Sequence, residues 1–138
     1  MEPTCDRTAG PPLLWERGER VVRWTHPGGE VVKEYDRPPQ SVMTWDGLVL
    51  VVEALDTTPF SPSDNAVVFW ADGRERVRLR PPRDLVGDPS AVHGFYMAYP
   101  DAGHGGIPLV VIATRTGGDF RGRVDLEHGT VTDVGTFR

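Results

Sequence analysis

His93, Tyr96, Asp101, His104 and Arg115 are the side chains of this sequence with the most scope for chemistry. His104 sits among glycines in PDAGHGGIP, with Asp101 three residues upstream. Such a pair could shuttle a proton or hold a metal if other ligands converged on it. His93 and Arg115 would polarise, and Tyr96 would line, a ligand pocket in a barrel mouth or between sheets. All five come from strand ends and one loop, so only convergence in space makes them a site. The plainer reading of the loop is a glycine-rich crossover.

Other constellations fall short of usable spacing. Asp119, Asp125, Glu127 and Asp133 cluster in the last hairpin, but Asp125 and Glu127 lie on the same strand face as Arg121 and Arg123, which reads as a salted, solvated face. No serine lies in a Gly-x-Ser-x-Gly elbow, and no glycine-rich run has the context of a phosphate cradle. The segment WTHPGGEVV, with His26 and Glu30 about a turn, resembles the first metal motif of cupins. The position where that motif carries a second histidine is Trp24 on one side and Gly28 on the other. No metal and no cofactor is called for. Cys5 is the single cysteine, which leaves neither an intramolecular disulfide nor a multi-cysteine metal site.

The elements that must position these residues are strands. Sixteen Gly and 13 Pro interrupt every window in which helical periodicity might begin. Alternating or β-branched segments fall at 20–26, 30–35, 41–45, 48–54, 66–71, 74–80, 93–99, 108–115, 119–127 and 130–137, giving ten antiparallel strands. Gly28-Gly29, Asp46-Gly47, Asp72-Gly73, Gly117-Gly118 and His128-Gly129 are the expected hairpin turns. Two-residue loops there place Arg23 opposite Glu34, Val68 opposite Val77, Val111 opposite Val124 and Leu126 opposite Val131. Longer connections are expected at 36–40, 56–65, 81–92 and 100–107, and residues 1–14 as a loose segment ahead of a single domain spanning 1–138. Trp15 pins that segment to the body. Trp24, Trp45 and Trp70 recur near turn glycines and read as core.

A hairpin text recurs three times: RVVRWTHPGGEVVKEY from Arg20, AVVFWADGRERVRL from Ala66 and GRVDLEHGTVTDVG from Gly122, the first two leaving through Pro38-Pro39 and Pro81-Pro82. VVFWADGRERVRL and RVDLEHGTVTDVG resemble the outer hairpins of bacterial β-propeller-type repeats, over roughly a third of the chain. The resemblance implies four-stranded blades, with 41–80 and 93–137 as two complete meanders and 20–35 as an outer hairpin without its inner pair. Closed propellers need at least ~4 blades, so the blades stay open, stack as a sandwich or curl into a barrel. The fold class expected is all-β on any of these.

Length, 138 residues, suits one core without staples. A net charge of -5 disfavours nucleic acid, and no apolar run approaches the ~18 residues of a membrane span. Arg74, Arg76, Arg78 and Arg80 alternate on one strand as a solvated face. MEPTCDRTAGPPLL lacks the regions of a signal peptide, so the cytoplasm is the expected compartment. These features favour a small binding protein that engages a protein partner, of the kind that neutralises an effector or toxin. The alternatives are a small-molecule site at the five residues above, or a β-unit working as a homodimer.

Overall fold

A computed structural model describes residues 11–55, 63–82, 91–115 and 118–136. Cys5, Gly117 and most of the connections expected at 56–65 and 81–92 lie outside the described residues. The chain is all-β: among the described residues, eleven strands form three antiparallel sheets that do not close into a barrel. The first sheet contains β1 (Leu13–Leu14), β2 (Val21–His26) and β3 (Gly29–Glu34). The second contains β4 (Ser41–Trp45), β5 (Leu48–Val52), β6 (Ala66–Trp70) and β7 (Glu75–Leu79). The third contains β8 (Val92–Asp101), β9 (Ile107–Thr114), β10 (Phe120–Asp125) and β11 (Thr130–Thr136). A short 3₁₀ turn, Ala102–His104, joins β8 to β9.

The second sheet lies between the other two, and its sequence explains why. β5 reads LVLVV and is buried at every position, as a strand covered on both faces must be. Leu48, Leu50 and Val52 face the third sheet, where they pack with Phe95, Val110, Ile112 and Val124. Val49 and Val51 face the first, packing with Val22, Trp24, Val67 and Phe69. β2 alternates instead, burying Val22 and Trp24 while Arg23 and Thr25 face outward. Trp15 packs on this second core, and its indole N–H donates to the Glu19 carbonyl at 2.8 Å. Leu13 and Leu14 pair with Trp24 and Arg23 inside the segment expected to be loose.

Registers fell partly where the turns predicted. Asp46-Gly47 is the two-residue turn between Trp45 and Leu48, and Val68 faces Val77. Arg23 faces Val32, because the turn is Pro27-Gly28 and not Gly28-Gly29. Val131 faces Val124, because residues 126–129 form a four-residue turn. Val111 faces Arg121 and not Val124, an odd shift that exchanges the faces. Trp24 and Trp45 are core as expected, but Trp70, at the last position of β6, is 40% exposed beneath the Arg76 guanidinium, 4.4 Å from its ring centre.

Side chains from the second sheet satisfy the free edge of the third. β8 is an edge strand. Ser41 Oγ donates to the Ala98 carbonyl at 3.1 Å, and Asn65 binds both backbone groups of Phe95. An edge that would otherwise template another strand is thereby occupied.

Candidate functional site

Two turns of the third sheet share one local text that the hairpin repeat obscured. The β8–β9 turn reads Asp101-Ala-Gly-His104-Gly105, and the β10–β11 turn reads Asp125-Leu-Glu-His128-Gly129. In each, the aspartate ends a strand and accepts a turn N–H: Gly103 donates to Asp101 Oδ1 at 3.2 Å, His128 to Asp125 Oδ1 at 3.2 Å. The other carboxylate oxygen meets the imidazole. His104 Nδ1 lies 2.7 Å from Asp101, and His128 Nδ1 lies 2.8 Å from Asp125. The glycine after each histidine takes the left-handed conformation, at φ 69° and 65°, which returns the chain to the next strand. The D-x-x-H-G spacing was present in the letters. Its meaning required seeing both aspartates cap their turns.

The two pairs differ in what surrounds them. Asp101 is also bound by Arg123 Nη2 at 3.3 Å, and the same guanidinium pairs with Asp133. Desolvation pushes the Asp101 carboxyl up, but the Arg123 hydrogen bond, the His104 charge and the Gly103 N–H together outweigh it and hold the group below its usual range. Asp125 is lowered chiefly by its hydrogen bond to His128, and His128 is raised by the same bond and by the charges of Asp125 and Glu127. Both imidazoles are exposed, and a Nδ1–H directed at the carboxylate leaves Nε2 free to accept.

Beside the second pair the seam between the second and third sheets opens into a groove of about 320 Å³. Trp45, Ile107, Val124 and Leu126 give it an apolar lining, and Asp46 and Asp125 stand in its wall. Ile107 is the β9 partner of Asp101, so both histidine turns border the same end of the third sheet. Asp46 forms no hydrogen bond or ion pair among the described residues. An apolar slot with carboxylates at its rim can receive a side chain that is aliphatic along its stem and cationic at its tip. No protein-family model, curated protein or solved structure matches this chain.

The five residues singled out from the sequence divide between the ends of one hairpin. Asp101 and His104 meet at the β8–β9 turn. His93 and Arg115 lie at the opposite end, where the Arg115 N–H donates to the Ala91 carbonyl at 2.7 Å and Val92 faces Thr114. Tyr96 stands between them on β8, 44% exposed. At roughly 3.3 Å per residue His93 is about 26 Å from Asp101, too far for one site. His93 Nδ1 is buried with no hydrogen-bond partner among the described residues. No three His, Cys, Asp or Glu side chains among the described residues are arranged to hold a metal ion. No helix there is long and apolar enough to cross a membrane.

Arg74, ahead of β7, and Arg76 and Arg78 on it have partners within the fold. Arg74 pairs with Asp72 at 2.8 Å, Arg76 stacks on Trp70, and Arg78 forks onto both Glu53 oxygens at 2.8 and 3.2 Å. Phosphate contact along this strand would have to compete with those bonds.

Proposed function

We propose that this protein is a cytoplasmic interaction module that binds a basic protein partner, of the kind that neutralises an effector or toxin. The observation that carries this reading is the groove at the seam: Trp45, Ile107, Val124 and Leu126 form its apolar lining, and Asp46 and Asp125 supply the charge. A lysine or arginine of the partner inserts its stem against the indole and directs its tip at the carboxylates. The net charge of -5 draws such a partner toward the surface before contact. The three stacked sheets are, on this reading, successive blades of an incomplete propeller, with the contact zone at the turns joining strands.

Titration of isotopically labelled protein with matched basic and acidic peptides tests the reading. Basic peptides should shift the Trp45 indole signal and the Asp46, Ile107 and Leu126 amides, with affinity falling as salt rises. Asp46→Asn should weaken binding about tenfold, the usual scale of a charge-assisted hydrogen bond. If basic peptides at low salt left the Trp45 and Leu126 signals unmoved, the reading would fail.

A second reading is self-association. Leu14 and Val32 flank Arg23 on the outer face of the first sheet and are 60% and 46% exposed. Light scattering over a range of concentrations decides it, since an invariant monomer mass rules out a dimer through this face.

A further inference from the structure

We propose that capture of a cationic side chain in the seam groove is proton-linked, with His128 as the group that competes for Asp125. This rests on the reading of the groove as the site for a basic partner. His128 already does, from within the chain, what the partner's side chain would do from outside: its Nδ1 contacts Asp125 Oδ2 at 2.8 Å, and Asp125 lines the groove. As an imidazolium it neutralises Asp125 and leaves Asp46 as the full charge of the groove wall. As a neutral ring it still donates its N–H, but Asp125 keeps its charge and can accept a second donor.

The turn that carries His128 is held in place. Arg80 N–H donates to the Gly129 carbonyl at 3.0 Å, and Thr130 Oγ1 donates to the Arg80 carbonyl at 2.7 Å, so the end of β7 grips the turn from the second sheet. The charges that act on the imidazole are those of Asp125 and Glu127 of its own turn; Asp46 stands in the groove wall with Asp125, and Arg80 meets the turn through its main chain. The imidazole's raised basicity accords with the two carboxylates of its turn.

The sign follows from linkage. Protonation of His128 disfavours the bound cation, so affinity rises as pH rises through the His128 titration, and a bound cation makes His128 easier to deprotonate. His104 supplies an internal comparison. Its partner Asp101 is held in addition by Arg123 and lies outside the groove lining, so the same motif there should not couple to binding.

Calorimetric titration with a capped tetra-arginine peptide at about pH 5.5 and about pH 8 tests the link, because the probe's own charge is constant over that range. The wild-type protein should bind about tenfold more tightly at the higher pH and release protons on binding at the lower one. His128→Gln should bind with equal affinity at both, whereas His104→Gln should keep the wild-type dependence. Equal affinity of the wild type at the two pH values, or an unchanged dependence in His128→Gln, overturns the proton link and leaves the groove reading standing. Binding at neither pH overturns both.

Discussion

Asn65 and Phe95 join the second and third sheets through a pair of hydrogen bonds that imitates a β-ladder. Asn65 Oδ1 accepts from the Phe95 N–H at 2.7 Å, and Asn65 Nδ2 donates to the Phe95 carbonyl at 2.8 Å and to the Glu53 carbonyl at 3.0 Å. One buried amide thus satisfies both main-chain groups of the buried Phe95 and the carbonyl of the half-buried Glu53. Asn65→Ala strands those groups and should cost about 3 kcal/mol, read as a lowered midpoint in urea denaturation. A loss below about 1 kcal/mol would mean that water replaces the amide.

Gly94 is shaped around the same contact. Its φ is +141°, and a Cβ there would lie 2.6 Å from Asn65 Oδ1 and 3.1 Å from the Ser63 carbonyl. Gly94→Ala should destabilise the fold by about 2 kcal/mol or more. The penalty should shrink in an Asn65→Ala background, where the nearer obstacle is gone. Additive costs in that double-mutant cycle would contradict the steric explanation.

Lys33, the only lysine, fastens the first sheet. Its Nζ donates to the Gly73 carbonyl at 2.8 Å and lies 4.6 Å from the Phe69 ring centre, while the Trp24 indole donates to the Ala71 carbonyl at 2.7 Å. Replacing Lys33 with Met keeps the stem and removes both polar contacts, at about 1–2 kcal/mol. Hydrogen exchange should show lost protection in β2 and β3 with β9 and β10 unchanged. Uniform loss across the three sheets would show that the first sheet does not open separately.

Tyr35 makes stability fall at alkaline pH. Burial pushes its phenol up, and the Glu53 charge adds to this against the opposing Arg78. The native state therefore holds the proton more tightly than the unfolded chain. That stability is complete below the unfolded value of about 10 and declines as pH rises beyond it. Melting curves from about pH 8 to 11 should show a steeper alkaline decline in the wild type than in Tyr35→Phe.

Asp125 and His128 should titrate as partners. The His128 ring should titrate above the ordinary value of about 6.5, and Asp125→Asn should return it toward that value, as followed by its ring carbon-bound proton signals. In stability terms, the raised His128 contributes below its unfolded value and loses the contribution as pH rises through its folded one. The lowered Asp125 contributes above its unfolded value and loses the contribution as pH falls through its folded one. No change in the His128 titration on removing the Asp125 charge would break the pairing.

What the sequence determined by itself was local. Strand identity, the Asp46-Gly47 turn, the Val68–Val77 pairing and the two meanders at 41–80 and 93–137 all follow from chemistry within a few residues: alternation, β-branching and turn preference. The apolar run LVLVV even carried the mark of a strand covered on both faces. Where two turn placements compete, as at Pro27-Gly28-Gly29, local preference is nearly even, and the register adopted sets Val31, which packs on the same core, opposite Trp24. Only tertiary structure decided the candidate site. Trp45 and Asp46 come from the second sheet and Val124 to Leu126 from the third, and nothing in either segment specifies the other. Sheet stacking, driven by apolar faces that have no preference for particular side chains at the seam's end, brought them together. The same rigidity of an extended strand kept His93 and Asp101 apart.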